Sequence, residues 1–170
     1  MAVRWRGEGS QHQGKRPYQE DSWKLVPLAD GSLLAIVADG MGGHAGGAVA
    51  SKLAVDAFVH AIEQGGGLAD GLNDANEAVR VGAAGKADLT GMGATVVAAL
   101  VRGDEVRWIS VGDSPFYLVT AGKLEQLNAD HSMAPQIDAL VARGMLTAEE
   151  AEHHPGRHTL REAVMGEPLK

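Results

Sequence analysis

The residues with the clearest chemical potential lie in the stretch IVADGMGGHAGG, residues 36–47. An apolar run ends at Asp39, and five glycines follow within the next eight residues. A glycine-rich loop after a strand usually binds phosphate through backbone N–H groups, but a carboxylate at its start would repel that phosphate. Because this carboxylate lies at the end of an apolar strand, at the edge of the expected core, it needs a partner or it becomes protonated. A divalent cation would resolve both problems, because it would pair with the Asp39 carboxylate and would then attract the phosphate.

The residues around Asp39 suit a hard cation such as Mg²⁺ or Mn²⁺. These ions prefer oxygen ligands, and Mg²⁺ keeps several waters while taking only one or two carboxylates. A site built from Asp39, the Gly40 carbonyl and Glu20 would meet that requirement, because glycine allows close backbone approach. Arg16 is the nearest guanidinium and could grip a phosphate in a two-pronged contact. The alternative for Arg16 is an exposed arginine with no functional partner.

Two further acids lie where the predicted backbone turns. Asp21 is at the start of the first predicted strand, and Asp113 is at the tip of a later hairpin, in ISVGDSPFY. Aspartate favours turns through local hydrogen bonds, so turn formation alone also accounts for each of them. From residue type and position, both alternatives stay open.

Two strands and two helices are predicted around the glycine loop. WKLVPLADGSLLAIVAD, residues 23–39, is typical of a hairpin with its turn at Asp30-Gly31. The second strand is apolar at successive positions, so both of its faces are expected to be buried. Apolar residues at helical spacing then predict helices over 46–62 and 68–84.

The second half of the chain has the same order of elements. Residues 94–127 predict three or four short strands, with turns at 103–104, 112–113 and 121–122. Two short helices are predicted within 132–154, the second opened by a capping box between Thr147 and Glu150. Strands grouped in this way favour an antiparallel, layered α+β domain over alternating βαβ units.

The composition is that of one globular domain, with 170 residues, 45% hydrophobic and 22% charged. The absence of cysteine excludes disulfides, thiolate zinc sites and cysteine nucleophiles, and a reducing, cytoplasmic location is expected. A net charge of -7 disfavours nucleic acid as the main partner. No apolar run is long enough to cross a bilayer, so no membrane partner is expected. The N-terminal residues lack the apolar core of a signal peptide.

Five segments resemble the PPM family of metal-dependent serine/threonine phosphatases, the protein phosphatase 2C type in its bacterial form. They occur in the family's order and approximate spacing, and the resemblance covers the chain from about Gly14 onward. The segments are GKRPYQEDS, IVADGMGGHAGGAVAS, GMGATVVAALV, WISVGDSPFYLV and LNADHSMAPQ. Residues 132–158 resemble the mobile flap of bacterial members. The resemblance thus predicts a single, partial catalytic domain over residues 1–170, incomplete at its C-terminus.

The resemblance also implies an architecture and a reaction. The fold would be an α+β sandwich with α-β-β-α layers, in which two antiparallel sheets pack face to face between helices. The reaction would be hydrolysis of phosphoserine and phosphothreonine in proteins by water held between two Mn²⁺ or Mg²⁺ ions. The expected partners are phosphoproteins, the targets of a bacterial serine/threonine kinase.

The family pattern assigns the main roles to four residues of this sequence. Asp39 would bridge the two metals, and the Gly40 carbonyl would ligate one of them. Glu20 would ligate a metal or hold a metal-bound water. Arg16 would bind the phosphate of the substrate, so that Arg16 and Asp39 are the expected catalytic residues.

The family pattern assigns outer roles to the two remaining acids. Asp21 would hydrogen-bond waters on the metals. Asp113 resembles the family's ligand for a third, weaker metal near the flap. The expected metal site therefore consists of Asp39 and Gly40 together with three other acids, Glu20, Asp21 and Asp113.

The chain departs from the family pattern in three places. Pro115 replaces an arginine after Gly-Asp-Ser, and Met41 replaces the candidate general-acid histidine of eukaryotic members, as in bacterial relatives. His44 is expected to be a loop or helix-start residue instead. Family members also continue past the position of Lys170, with an Asp-Gly and an Asp-Asn whose carboxylates complete the metal cluster. We therefore expect a fragment or a degenerate member, with an open sheet edge and weak Mg²⁺ binding.

Two other functions fit parts of the sequence. Gly40, Gly42 and Ala45 satisfy the dinucleotide-binding pattern G-x-G-x-x-G/A, with Glu63 about 20 residues further on. An isolated match of this kind is weak, and Asp39 would face the pyrophosphate. The incomplete set of acids also fits a catalytically impaired phosphatase-fold module that binds phosphoproteins or a kinase.

Overall fold

The computed structural model describes residues 5–43 and 45–169. These residues form a five-stranded and a two-stranded sheet, both antiparallel. The five strands of the larger sheet are β1 (Asp21–Pro27), β2 (Leu33–Met41), β3 (Gly93–Ala94), β4 (Val96–Arg102) and β5 (Glu105–Val111). They are ordered β1-β2-β4-β5, and the short β3 pairs with the end of β2. The smaller sheet is a hairpin of β6 (Tyr117–Thr120) and β7 (Lys123–Gln126).

Two long helices cover one face of the larger sheet. They are α1 (Gly46–Glu63) and α2 (Leu68–Ala83), and both bounds agree with the predicted helices to within one residue. Helix α1 packs on β1 and β2, while α2 packs mainly on α1. The core between these layers contains fully buried side chains such as Phe58, Val79 and Leu34. Apolar burial of this kind is the main favourable contribution to folding, and the predicted α+β arrangement is confirmed.

The predicted hairpin of β1 and β2 forms, and its turn sets the register of the site. Asp30 Oδ1 accepts a hydrogen bond from Ser32 N over 3.0 Å, and Gly31 has a φ of +83° that favours glycine. With this turn, Asp21 pairs with Asp39 at the far end of the two strands. Two of the predicted acids therefore lie directly opposite each other.

The second face of the larger sheet is only partly covered. Apolar side chains remain exposed there: Val37 at 48%, Val106 at 41% and Trp108 at 38%. The expectation that both faces of β2 are buried is wrong for this face, because the described helices lie against the opposite one. An extended N-terminal segment reaches the end of the sheet, where Trp5 Nε1 donates to Gly103 O over 2.6 Å.

The segment predicted to be a flap contains two short helices, α3 (Ala134–Ala142) and α4 (Ala148–Glu152), which contact each other. The predicted capping box of Thr147 and Glu150 opens α4. A bridge between Ser132 and Leu160 closes the base of this segment. Its role as a flap stays a prediction. None of the described helices combines the length and the apolar character needed to cross a bilayer.

Candidate active site

The carboxyl groups of Asp39 and Asp21 form the centre of the candidate site. Partial burial raises the pKa of the Asp39 carboxyl. The adjacent Asp21 raises this pKa further, by its charge and by a hydrogen bond between the two carboxyl groups, and the charge of Asp113 acts in the same direction. The Arg16 guanidinium lowers the pKa of Asp39. The charges of four predicted site residues therefore meet at the end of β2.

Glu20 and Gly40 are linked to this centre through the glycine loop. Gly40 N donates to Glu20 O over 3.1 Å, and Glu20 Oε2 accepts from Arg16 Nη1 over 3.3 Å. A Cβ atom added at Gly47 would lie 2.7 Å from Glu20 Oε1 and 2.9 Å from the Gly40 carbonyl oxygen. Only glycine permits this approach. The glycine loop thus lets the start of α1 lie against the Glu20 carboxylate and the Gly40 carbonyl.

Asp113 lies in the turn that follows β5; the prediction of a hairpin tip is wrong, because β5 and β6 belong to different sheets. Gly112 precedes it with a φ of +101°, a conformation that favours glycine. His131 fixes this turn through two hydrogen bonds to Gly112. Its backbone N–H donates to Gly112 O over 3.1 Å, and its Nδ1 accepts from Gly112 N over 3.2 Å. On the other side, Asn128 Nδ2 donates to Ser114 O over 2.9 Å. The backbone on both sides of Asp113 is therefore fixed.

Three polar residues that support the site were not predicted: Thr95, Asn128 and His131. Thr95 and Asn128 are buried, at 2% and 7% exposure, and Thr95 N donates to Asp39 O over 2.9 Å. Their residue types alone carry no signal, because their partners are distant in the sequence. The available signal was their position in GMGATVVAALV and LNADHSMAPQ, two of the segments that carry the family resemblance.

The positions that depart from the family pattern lie at the border of the site. Met41 ends β2, and its side chain is partly buried. Pro115 lines a cavity of about 570 Å³ that Asp21 and Asp39 also border. His44 lies outside the described residues.

The oxygen atoms at the site suit a divalent cation. Within residues 5–43 and 45–169, no three or more histidine, aspartate and glutamate side chains are grouped so as to hold a metal ion. The site offers instead the Asp21–Asp39 pair, with the Glu20 carboxylate and the Gly40 carbonyl beside the loop. One or two carboxylates with retained waters are the usual protein ligands of Mg²⁺. Desolvation and the neighbouring acids raise the pKa of Asp39, and a bound cation would favour its charged form again.

The dinucleotide-binding alternative is not supported by the topology. A βαβ dinucleotide site needs two parallel strands joined by a helix. Every strand pair in the described part of the chain is antiparallel, and α1 leads into α2 rather than into a parallel strand.

A family model described as Protein phosphatase 2C matches residues 8–158. The chain belongs to the protein phosphatase 2C family. The match covers most of the chain and includes all six of the predicted site residues. The resemblance predicted from the five sequence segments is therefore confirmed.

Similar proteins include both sequences and solved structures of this family. The serine/threonine protein phosphatase PstP of Mycobacterium tuberculosis is 38% identical over 146 residues, which are 82% of this chain and 28% of PstP. The crystal structure of Stp1 from Staphylococcus aureus has a TM-score of 0.77 and 30% identity, over 98% of this chain and 69% of that one. The catalytic domain of PstP in complex with two manganese ions has a TM-score of 0.72 and 33% identity, over 91% and 64%.

These similarities confirm the protein phosphatase 2C fold, and they define how much of it the chain contains. The chain spans 28% of the length of PstP. The described residues supply a layer of two helices, a five-stranded sheet and the β6–β7 hairpin as the second sheet. All eight residues of that hairpin are exposed.

Proposed function

We propose that this protein phosphatase 2C chain is a metal-dependent protein serine/threonine phosphatase, which hydrolyses phosphoserine and phosphothreonine with two Mn²⁺ or Mg²⁺ ions and a third, weaker one. The observation that carries the proposal is the pair of facing carboxyl groups, Asp21 and Asp39, beside a loop in which Gly40 and Gly47 leave no room for a side chain. PstP, whose catalytic domain has been solved with two manganese ions, supports the choice of metal. The domain is proposed to be single and partial over residues 1–170, with a flap at about 132–158.

The proposed roles follow the donor atoms that the fold brings together. Asp39 would hold the divalent ions, with further oxygen from the Gly40 carbonyl and Glu20 on the side of the glycine loop. Asp21 fixes the orientation of Asp39 across the hairpin, and Asp113 contributes to the third position. When bound, the ions supply water activation and neutralise the phosphoryl charge. No covalent enzyme intermediate is needed, which agrees with a chain that has no cysteine.

Arg16 is proposed to bind the phosphate group of the substrate. Its side chain is 66% exposed, and its ion pair with Glu20 is long, at 3.3 Å. Exposed ion pairs contribute little to stability, so this contact is easily exchanged for another. A phosphate dianion would compete well for the guanidinium, because it offers two oxygens in the geometry that arginine prefers.

The proposed substrates are phosphoproteins, in particular the targets of a bacterial serine/threonine kinase, and the proposed location is the cytoplasm. Support comes from relatives named as bacterial serine/threonine protein phosphatases. The net charge of -7 also fits protein partners better than nucleic acid.

The proposal is tested by Asp39→Asn, which keeps the size of the side chain and removes its charge. We expect turnover of p-nitrophenyl phosphate to be abolished and Mn²⁺ binding, measured by calorimetry, to weaken about tenfold or more. Asp104→Asn is the matched control, because Asp104 is an exposed turn residue away from the site. Near-normal turnover and Mn²⁺ affinity in Asp39→Asn would refute the assignment.

A second candidate function is a phosphatase-fold module that binds phosphoproteins or a kinase without hydrolysis. It is favoured by the lack, among the described residues, of three or more acids or histidines grouped around a metal position. The two functions differ in one assay. Hydrolysis of p-nitrophenyl phosphate that depends on Mn²⁺ and is lost with EDTA excludes the binding module, whereas phosphopeptide binding without any hydrolysis favours it.

A further inference from the structure

Thr95 makes two hydrogen bonds to the backbone of Asp39. It lies between β3 and β4 and is 2% exposed. Its N–H donates to the Asp39 carbonyl oxygen over 2.9 Å, and its Oγ1 accepts from the Asp39 N–H over 3.1 Å. A single buried residue thereby satisfies both main-chain groups of the central acid. Because Thr95 is buried, the loss of either bond would leave a polar group of this residue or of the Asp39 backbone without its partner, at a cost in free energy.

Thr95 also contacts both neighbours of Asp113. Its Oγ1 lies 2.6 Å from Ser114 Oγ, within hydrogen-bonding distance. Its methyl group lies against Gly112, where an added Cβ atom would be only 2.5 Å from Thr95 Cγ2. The hydroxyl and the methyl group of one side chain therefore touch the two residues that flank Asp113.

We propose that Thr95 is a positioning residue that fixes Asp39 and the Asp113 turn relative to each other. This inference rests on the proposed function insofar as the two acids hold divalent ions. Both halves of the side chain are needed: serine retains the hydroxyl but loses the methyl contact with Gly112, and valine retains the shape but loses both hydroxyl bonds. The site thus depends on a residue that touches neither the metal positions nor the substrate.

The first experiment measures the hydrogen bonds directly, without metal. Amide hydrogen exchange is followed by NMR in the unsubstituted chain, in Thr95→Val and in Thr95→Ser. We expect exchange of the Asp39 amide to accelerate about tenfold in Thr95→Val and to change less than about threefold in Thr95→Ser, because only the valine removes the acceptor. Thr90→Val is the control for the chemical change itself, since Thr90 is an exposed threonine outside the site whose hydroxyl contacts only Lys86 O.

The second experiment measures Mn²⁺ binding by calorimetry in the same variants. We expect the dissociation constant to rise about tenfold in Thr95→Val, in line with the cost of one unpaired buried group. Val79→Ala controls for stability, because Val79 is fully buried in α2 and removing its methyl groups destabilises the core. A positioning role predicts weaker Mn²⁺ binding in Thr95→Val but not in Val79→Ala of similar melting temperature.

The outcomes separate the inference from the function on which it rests. Unchanged exchange at Asp39 together with unchanged Mn²⁺ affinity in Thr95→Val overturns the inference, as does an equal loss of affinity in Val79→Ala. If the unsubstituted chain binds no Mn²⁺, the proposed function fails, and the exchange rates still decide the role of Thr95.

If Thr95→Val does not fold, Ser114→Ala takes its place, because it removes only the hydrogen bond between Thr95 Oγ1 and Ser114 Oγ. Unchanged exchange at the Gly112 amide, which holds the Asp113 turn through its bond to His131 Nδ1, then overturns the inference.

Discussion

At the scale of single residues, the site is defined by acids that the fold places close together. Asp39 carries a raised pKa because burial and Asp21 both disfavour its charged form. Such a pair is unfavourable unless a cation or a proton compensates it. Arg16 supplies part of that positive charge, but it is shared with Glu20. Once a bound cation neutralises the acids, the Arg16 guanidinium is therefore available to bind a ligand.

Arg16→Ala tests this division of roles. We expect the KM for p-nitrophenyl phosphate to rise about tenfold while kcat changes little, because the guanidinium contacts substrate rather than metal. The melting temperature should stay nearly constant, since exposed ion pairs contribute at most about 1 kcal/mol. Arg102→Ala is the control, because Arg102 is equally exposed and makes a comparable contact with Asp30 at 3.6 Å. An unchanged KM in Arg16→Ala would count against the role.

At the scale of elements, sequence patterns correctly predicted the features that depend on residues close together in the chain. The hairpin turn at Asp30-Gly31 and the capping box of Thr147 and Glu150 both form as predicted, because each is decided within a few residues. The pairing of Asp21 with Asp39 follows from the same turn. The contacts of Thr95 do not, because they join segments whose proximity only the folded sheet determines.

The segment with α3 and α4 gives a prediction about pH. Arg157 donates to both carboxylate oxygens of Asp138, at 2.7 and 3.2 Å, and this lowers the pKa of Asp138. A lowered folded-state pKa means that the pair stabilises the segment fully above the ordinary aspartate pKa of about 3.9. That contribution disappears as the pH falls through the lower, folded-state value. We expect hydrogen exchange in α3 to accelerate over this acid range.

Asp138→Asn is the control for this pH dependence, because asparagine has no carboxyl group to titrate. Its exchange rates in α3, corrected for the intrinsic effect of pH, should be raised already at pH 6 and should show less additional increase in acid. If the unsubstituted chain and Asp138→Asn have the same pH profile, the pair does not hold α3 to the segment that follows α4.

At the scale of the whole molecule, the α+β class was predicted from the order of elements, and the family from five short segments. The exposure of the sheet face opposite the two helices was not predicted. The apolar pattern along β2 indicates which of its faces can be buried. It does not indicate whether another element covers that face, because that depends on segments distant in the sequence. Val37 is apolar and yet 48% exposed, because no described helix covers its side of the sheet. The exposed face is therefore a property of the assembled layers.

An exposed apolar face should bind a hydrophobic dye. We expect the chain to enhance the fluorescence of 8-anilinonaphthalene-1-sulfonate, because Val37, Val106 and Trp108 present apolar surface on one side of the sheet. Val37→Glu should remove most of this enhancement, since it places a negative charge on that surface, where it repels the anionic dye. Val81→Glu is the matched control: Val81 is 56% exposed but lies on α2, away from the face. Equal effects of the two substitutions, measured at equal folded fraction, would show that the dye binds elsewhere.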